Sequence, residues 1–331
     1  MSVNLSWKWR AGLALLLGVP ILALAMLPLW RPPAPTSVAS VQRLNNAQCQ
    51  TCHQAVWDEW TQSRHSQTWV SPTVQAAFAH FGHDRQCESC HAPEPVFVAG
   101  LTAPIQLRSE HRDSGIDCLT CHLRADGKIA ALQTRTDVPC LPVLTTELSN
   151  SEQCGGCHRA IFDDWQVSRY AREQITCQAC HMRERNESGT HPDSLSKRTH
   201  LCLGGHDDDL VRSGVRVSYE RSDQELTVQV TNHATGHNFP GERHNRMLLL
   251  ELMVRTADGE VLQTEQRIIK GITPFRGESS SEQIRADQTH RSVFALPPEA
   301  NSVRVQLLYK RFPWMATRDA LVVSEWKWTK P

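Results

Sequence analysis

Five copies of Cys-x-x-Cys-His dominate this chain. They are Cys49, Cys52 and His53; Cys87, Cys90 and His91; Cys118, Cys121 and His122; Cys154, Cys157 and His158; and Cys177, Cys180 and His181. Composition alone would give about 0.02 copies in a chain of this length, so the repetition is no accident. Two thiols three positions apart, followed at once by an imidazole, suit covalent attachment of haem c. The thiols add to the vinyl groups as thioethers and the histidine takes the iron as proximal ligand. A zinc knuckle needs no histidine directly after every second cysteine, and a disulfide oxidoreductase would carry one such motif, not five. The expected cofactor is therefore five covalent haem c groups, with His53, His91, His122, His158 and His181 as proximal metal ligands.

Each iron then needs a sixth ligand or a reason to lack one. The distal candidates are His65, His83, His111, His200 and His237, with His80 and His206 as further histidines in reach of a motif. Any of them could instead be a surface histidine or one bonded to a haem propionate. No Cys-x-x-Cys-Lys occurs, so the lysine-ligated catalytic haem of pentahaem nitrite reductases is not expected.

The segments that position these residues repeat. CQTCHQAVWDEWTQSRH at 49–65 returns as CGGCHRAIFDDWQVSRY at 154–170, sharing the motif, Asp58/Asp163, Trp60/Trp165, Ser63/Ser168 and Arg64/Arg169. Each copy reads as a helix that starts at the motif and carries a tryptophan able to pack on porphyrin. The repeat breaks at its end, where His65 becomes Tyr170. Tyr170 is either a packing residue or the mark of an iron left open to a small molecule. About 33 residues serve each haem between 45 and 210, too few to wall the haems apart. A multihaem cytochrome c fold is expected there, of short α-helices and loops packed on haems. Cys140 and Cys202 are left over, and an oxidising compartment would permit a disulfide between them.

The N-terminus bears on the compartment. Twenty uncharged residues lie between Arg10 and Arg31, about 30 Å of helix, with Lys8 and Arg10 before them and Trp7, Trp9 and Trp30 near the ends. The expectation is a transmembrane signal-anchor over 1–31 and a linker over 32–44, with everything beyond in the periplasm. The alternative is a signal peptide cleaved after Ala23-Leu24-Ala25, leaving a soluble periplasmic protein. Lys plus Arg and Asp plus Glu are 35 each, which gives no basic footprint for nucleic acid.

After residue 210 the motifs stop and alternation begins. Val215, Val217 and Tyr219, then Leu226, Val228 and Val230, read as two strands joined at Ser222-Asp223. MLLLELMVRT and EVLQTEQRII flank the hairpin signal Asp258-Gly259. With Val303, Val305 and Leu307, and residues 321–328, a C-terminal antiparallel β-sandwich of six or seven strands is expected over 211–331. The loop TNHATGHNFPGERHNR, holding His233, His237, Arg243, His244 and Arg246, suits reaching into the haem region, though a polar surface loop would look the same.

The paired CxxCH…W-x-x-S-x-H/Y segments and ITCQACHM resemble the cytochrome c-554/c-prime family. TGHNFPGERHNR followed by MLLLELMVRTADGEV looks like the β-domain attached to many membrane-associated multihaem cytochromes. In the family, the histidine of W-x-x-S-x-H is a distal ligand, which the resemblance carries to His65; RTHLCLGGH points similarly to His200, and the TGH loop to His237. Five motifs instead of the type member's four, and Tyr170, depart from the pattern. The resemblance implies electron transfer between a membrane-side donor and a periplasmic or outer acceptor. The partners would be redox proteins, including a quinol-linked membrane complex. The competing functions are a reductase or oxidase of a small nitrogen or sulfur compound at an open iron, and an electron-relay subunit of a larger complex.

Overall fold

The computed structural model describes residues 46–80, 82–101, 103–185, 198–241, 246–271 and 282–331. The expected anchor over 1–31, the linker over 32–44, and Arg243 and His244 lie outside them. Among the described residues no helix is long and apolar enough to cross a membrane.

From residue 46 to 214 the chain is a succession of short helices and loops. The longest are Gln54–Gln62, Pro72–His80 and Arg159–Gln166. The first stops at Ser63 and the third one residue before Ser168, and each hydroxyl donates back to a carbonyl of the last turn: Ser63 Oγ to Trp60 O at 2.6 Å, Ser168 Oγ to Trp165 O at 2.7 Å. Such local bonds offer the backbone an exit from the helix. Two three-residue strands, β1 (Ile129–Ala131) and β2 (Pro142–Leu144), pair in parallel. Buried apolar side chains in this region are scattered, among them Phe78, Val96, Ile116, Leu123 and Phe162. Much of what is buried is polar: Ser63, Asp117, Thr120, Ser151, Ser168 and Gln178.

The C-terminal part has the opposite character. After a helix at Asp208–Gly214 come β3 (Val215–Arg221), β4 (Glu225–Asn232), β5 (Met247–Arg255), β6 (Val261–Lys270), β7 (Thr289–Ala295), β8 (Ser302–Lys310) and β9 (Leu321–Thr329). They form two antiparallel sheets, β3-β4-β7 and β6-β5-β8-β9. Leu226, Val228 and Val230 of one sheet share a core with Leu248, Leu250, Leu252, Val254, Val303, Val305 and Leu307 of the other, each at most 1% exposed. Period-two alternation places every second residue on the inner face. Burying each such side chain contributes roughly 1.5–3 kcal/mol. Tyr219 Oη donates to Ser324 Oγ at 2.8 Å, a polar tie from β3 to β9. The strand that alternation does not reveal is β7. Its inner face carries His290 and Ser292 beside Phe294, so its hydrophobic signal is broken.

Candidate cofactor sites

Three of the motifs lie wholly in short helices, Arg85–His91, Cys118–His122 and Cys177–His181. The other two begin inside one-turn helices at Ala47–Gln50 and Glu152–Gly155. One helical turn places residues i, i+3 and i+4 on one face, so both thiols and the imidazole project together. The third motif is the most strongly framed. Asp117 Oδ1 accepts from Thr120 N at 2.8 Å, and Thr120 Oγ1 accepts from Asp117 N, closing a capping box. Arg108 Nη1 holds the same Asp117 at 2.9 Å.

The motif histidines are aimed through their Nδ1 atoms. His91 Nδ1 donates to Thr68 O and His122 Nδ1 to Ala130 O, both at 2.8 Å, and His181 Nδ1 donates to Leu203 O. A carbonyl can only accept, so each ring keeps its proton on Nδ1 and leaves Nε2 free to bind a metal. His200 and His237 are aimed the same way, to Arg198 O at 3.2 Å and Asn238 O at 2.9 Å.

Three motif histidines each face another imidazole. Ring centres are 6.4 Å apart for His65 and His158, 6.3 Å for His122 and His200, and 6.3 Å for His181 and His237. A histidine nitrogen lies about 1.1 Å from its ring centre and a metal–nitrogen bond runs about 2.0–2.1 Å. Two imidazoles on opposite sides of one iron therefore have centres about 6.2–6.4 Å apart. Burial pushes His65 and His200 down to about 4 and lowers His122 and His181. These rings are neutral, the form that ligates. Buried guanidinium nitrogens without a hydrogen-bond acceptor, Arg108 Nε and Arg185 Nε, suit the propionates of such a group. Ring spacing, Nδ1-anchored imidazoles and unmet cationic donors all fit haem. Among the described residues no three or more His, Cys, Asp or Glu side chains cluster as they would around a bare metal ion.

His83 and His111 are placed otherwise. His83 turns its Nδ1 to the Glu88 carboxylate at 2.9 Å and is 61% exposed. His111 is exposed, in a left-handed conformation at φ 53°, ahead of a 3-10 turn. Among the described residues neither faces a motif histidine. The disulfide that an oxidising compartment would permit is not formed: Cys140 and Cys202 are both free. Cys140 is exposed in the loop before β2, near Cys49 and Cys52, while Cys202 lies beside Cys121.

The repeat extends further than the sequence comparison reached. Trp60 Nε1 donates to Ile116 O at 2.8 Å, and Trp165 Nε1 to Ile175 O at 2.9 Å. Ile116 and Ile175 stand two residues before the third and fifth motifs. Asn46 Oδ1 accepts from Cys118 N at 3.1 Å, and Ser151 Oγ accepts from Cys177 N at 3.0 Å. Both acceptors precede their own motif by three residues. The Cys49 side chain neighbours that of Cys118, as Cys154 neighbours Cys177. Even the left-handed residue recurs, Gly115 at φ 62° and Gln174 at φ 58°. The first and third motifs thus form one unit, the fourth and fifth an equivalent one, and the second motif lies in an insertion within the first unit. Cys90 of that insertion lies beside Cys157. Replacing Trp165 with Phe should cost about 1 kcal/mol through the lost bond to Ile175 O. Denaturant unfolding should show it, and an unchanged midpoint would mean that the bond carries no load.

The departure at Tyr170 is resolved by packing. Tyr170 is buried, its hydroxyl donates to His233 O at 3.2 Å, and its ring lies against Gly236, where an added Cβ would come within 3.2 Å of it. Tyr170 thus braces the loop that carries His237. The other brace is Asn232, fully buried at the end of β4, whose Nδ2 donates to His237 O at 2.8 Å and Ile284 O at 3.0 Å. The sandwich therefore positions the imidazole that faces His181.

A family model described as cytochrome c554 and c-prime matches residues 48–123 and 153–237. The two stretches cover all five motifs and end at His237. A penta-heme cytochrome c552 from Thermochromatium tepidum superposes with a TM-score of 0.64 at 16% identity, over 88% of this chain and 100% of that one. A β-glucuronidase from Bacteroides uniformis overlaps 35% of this chain and 13% of its own, at 19% identity and a TM-score of 0.20, too low to carry an argument. No curated protein matches the chain.

Proposed function

Because the chain is a multihaem c-type cytochrome of the cytochrome c554 and c-prime family, we propose that it carries electrons between a membrane-side donor and a periplasmic or outer acceptor through five covalent haems. The observation that carries this reading is the set of three facing imidazole pairs. Bound haem supplies a one-electron iron couple. The paired histidines would hold the iron of such a group and keep substrate off it. The thiol contacts Cys49–Cys118, Cys154–Cys177 and Cys90–Cys157 bring neighbouring motifs edge to edge, which suits passage of charge from one to the next. The family's chemistry argues for a compartment outside the cytoplasm. The apolar run at 11–30 argues for tethering there beside a quinol-linked complex.

A second reading has one observation behind it. The ring packed on His91 is Phe78, edge-on at 5.1 Å. Among the described residues no imidazole faces His91, so a reductase or oxidase of a small nitrogen or sulfur compound would be sited there. EPR of the oxidised protein, beside a pyridine haemochrome assay, separates the two. The first reading expects five haems per chain and only low-spin signals. A high-spin signal that responds to nitrite, hydroxylamine or nitric oxide would give the lead to the second, and a haem count of zero would end both.

A further inference from the structure

Three segments converge on one carboxylate. Glu59 lies on Gln54–Gln62, directly after the first motif. Its Oε2 accepts the backbone N–H of His200 at 2.8 Å and forms an ion pair with Arg185 Nη2. Arg185 follows the fifth motif, and its side chain is only 6% exposed. Its pairing is incomplete. Nε has no acceptor, and Nη2 touches Glu59 without the alignment of a hydrogen bond. A guanidinium carries five N–H donors in a rigid fork, and leaving them dry and unmet is costly. Its neighbour Arg198 shows the alternative, with Nη1 donating to Gln178 O and Met182 O, both at 3.1 Å.

A buried guanidinium with one carboxylate and spare donors is built to take a second carboxylate. The cofactor brings two of them as propionates. We infer that Arg185 binds a propionate of the haem held between His122 and His200, and that Arg185 and Glu59 together set that haem's reduction potential. The assignment rests on reading His200 as an iron ligand. It follows from connectivity: the Glu59 oxygen that touches Arg185 also fixes the His200 backbone, and the His200 ring faces His122 at 6.3 Å.

The electrostatic signs are definite. Reducing the iron adds an electron, which a nearby cation favours and a nearby carboxylate opposes. Arg185 raises the potential both by its own charge and by neutralising the propionate. Glu59 lowers it.

The test is a spectroelectrochemical titration of the full chain with its haem complement counted. Arg185→Gln should lower the midpoint of one haem by a tenfold change in the one-electron equilibrium constant, 59 mV. Glu59→Gln should raise the midpoint of the same haem, and Arg185→Lys should fall between Arg185→Gln and the parent. The haem is identified as the one whose low-spin signal changes in His200→Met. Opposite shifts on one haem are not what a merely structural ion pair would produce. Five unchanged midpoints in Arg185→Gln, shifts of the same sign in the two variants, or a shift spread over all five haems would overturn the inference. If Arg185→Gln does not assemble, Glu59→Gln and Arg185→Lys still decide it, and no shift in either is fatal. If His200→Met leaves every low-spin signal intact, the ligand reading itself has failed, whatever Arg185 does.

Discussion

Replacing His65 with alanine should turn one iron in five from low spin to high spin and leave the other four signals in place. The His65 ring faces His158 at 6.4 Å, and burial keeps it neutral and competent to ligate. Its backbone is held independently of that ring. His65 O accepts from Ile116 N at 3.0 Å and from Thr68 Oγ1 at 2.8 Å, so truncation removes the imidazole without releasing the turn. Covalent attachment through Cys154 and Cys157 does not depend on His65, and the haemochrome count should stay at five. EPR at low temperature reads the outcome directly. A spectrum identical to the parent's would show that His158 finds its partner elsewhere, and the pairing across the two repeats would have to be abandoned.

Truncating Phe294 to alanine should destabilise the sandwich by about 3–5 kcal/mol. Phe294 is fully buried on β7, opposite Leu226, with the Arg267 guanidinium 4.6 Å from its ring. The sheets are closed by large residues of this kind, and a cavity in their shared core removes both transfer energy and contacts. The loss should extend beyond the strands. Asn232, at the end of the strand that pairs with β7, holds the loop bearing His237. Denaturant unfolding followed by far-UV circular dichroism gives the magnitude, and the spectrum of the haem on the fifth motif should change at a lower denaturant concentration than in the parent. A cost under about 1 kcal/mol would mean that the core collapses around the gap.

What was legible in the sequence is what local spacing encodes. Cys-x-x-Cys-His needs one helical turn and nothing more, so its five positions could be read directly. The alternation of Val215, Val217 and Tyr219 or of Leu250 and Leu252 shows a sheet face for the same reason. The facing imidazoles were not legible from spacing, because His65, His200 and His237 come from segments remote from the motifs they oppose; only the family resemblance pointed to them. Half of the duplication was missed for a different reason. Ile116 and Ile175 occupy equivalent places, but the insertion carrying the second motif spoils the constant offset, and Gly115 matches Gln174 in backbone angle, not in residue type. The Arg185–Glu59 contact has no sequence signature, since both residues look like ordinary surface charges until the chain folds around them.

The insertion has a consequence for how the chain reaches its native state. The two equivalent units make the same thiol contact and the same tryptophan–isoleucine bond, yet Cys49 and Cys118 are about three times as far apart along the chain as Cys154 and Cys177. Each doubling of a loop costs about 0.6 kcal/mol in closure entropy, so the first unit starts with a handicap of about 1 kcal/mol. Contacts of short sequence separation also form sooner. The later-synthesised half is therefore the natural nucleus. On loop closure alone, the fourth and fifth motifs should close before the first and third, with His158 in place before His65 meets it.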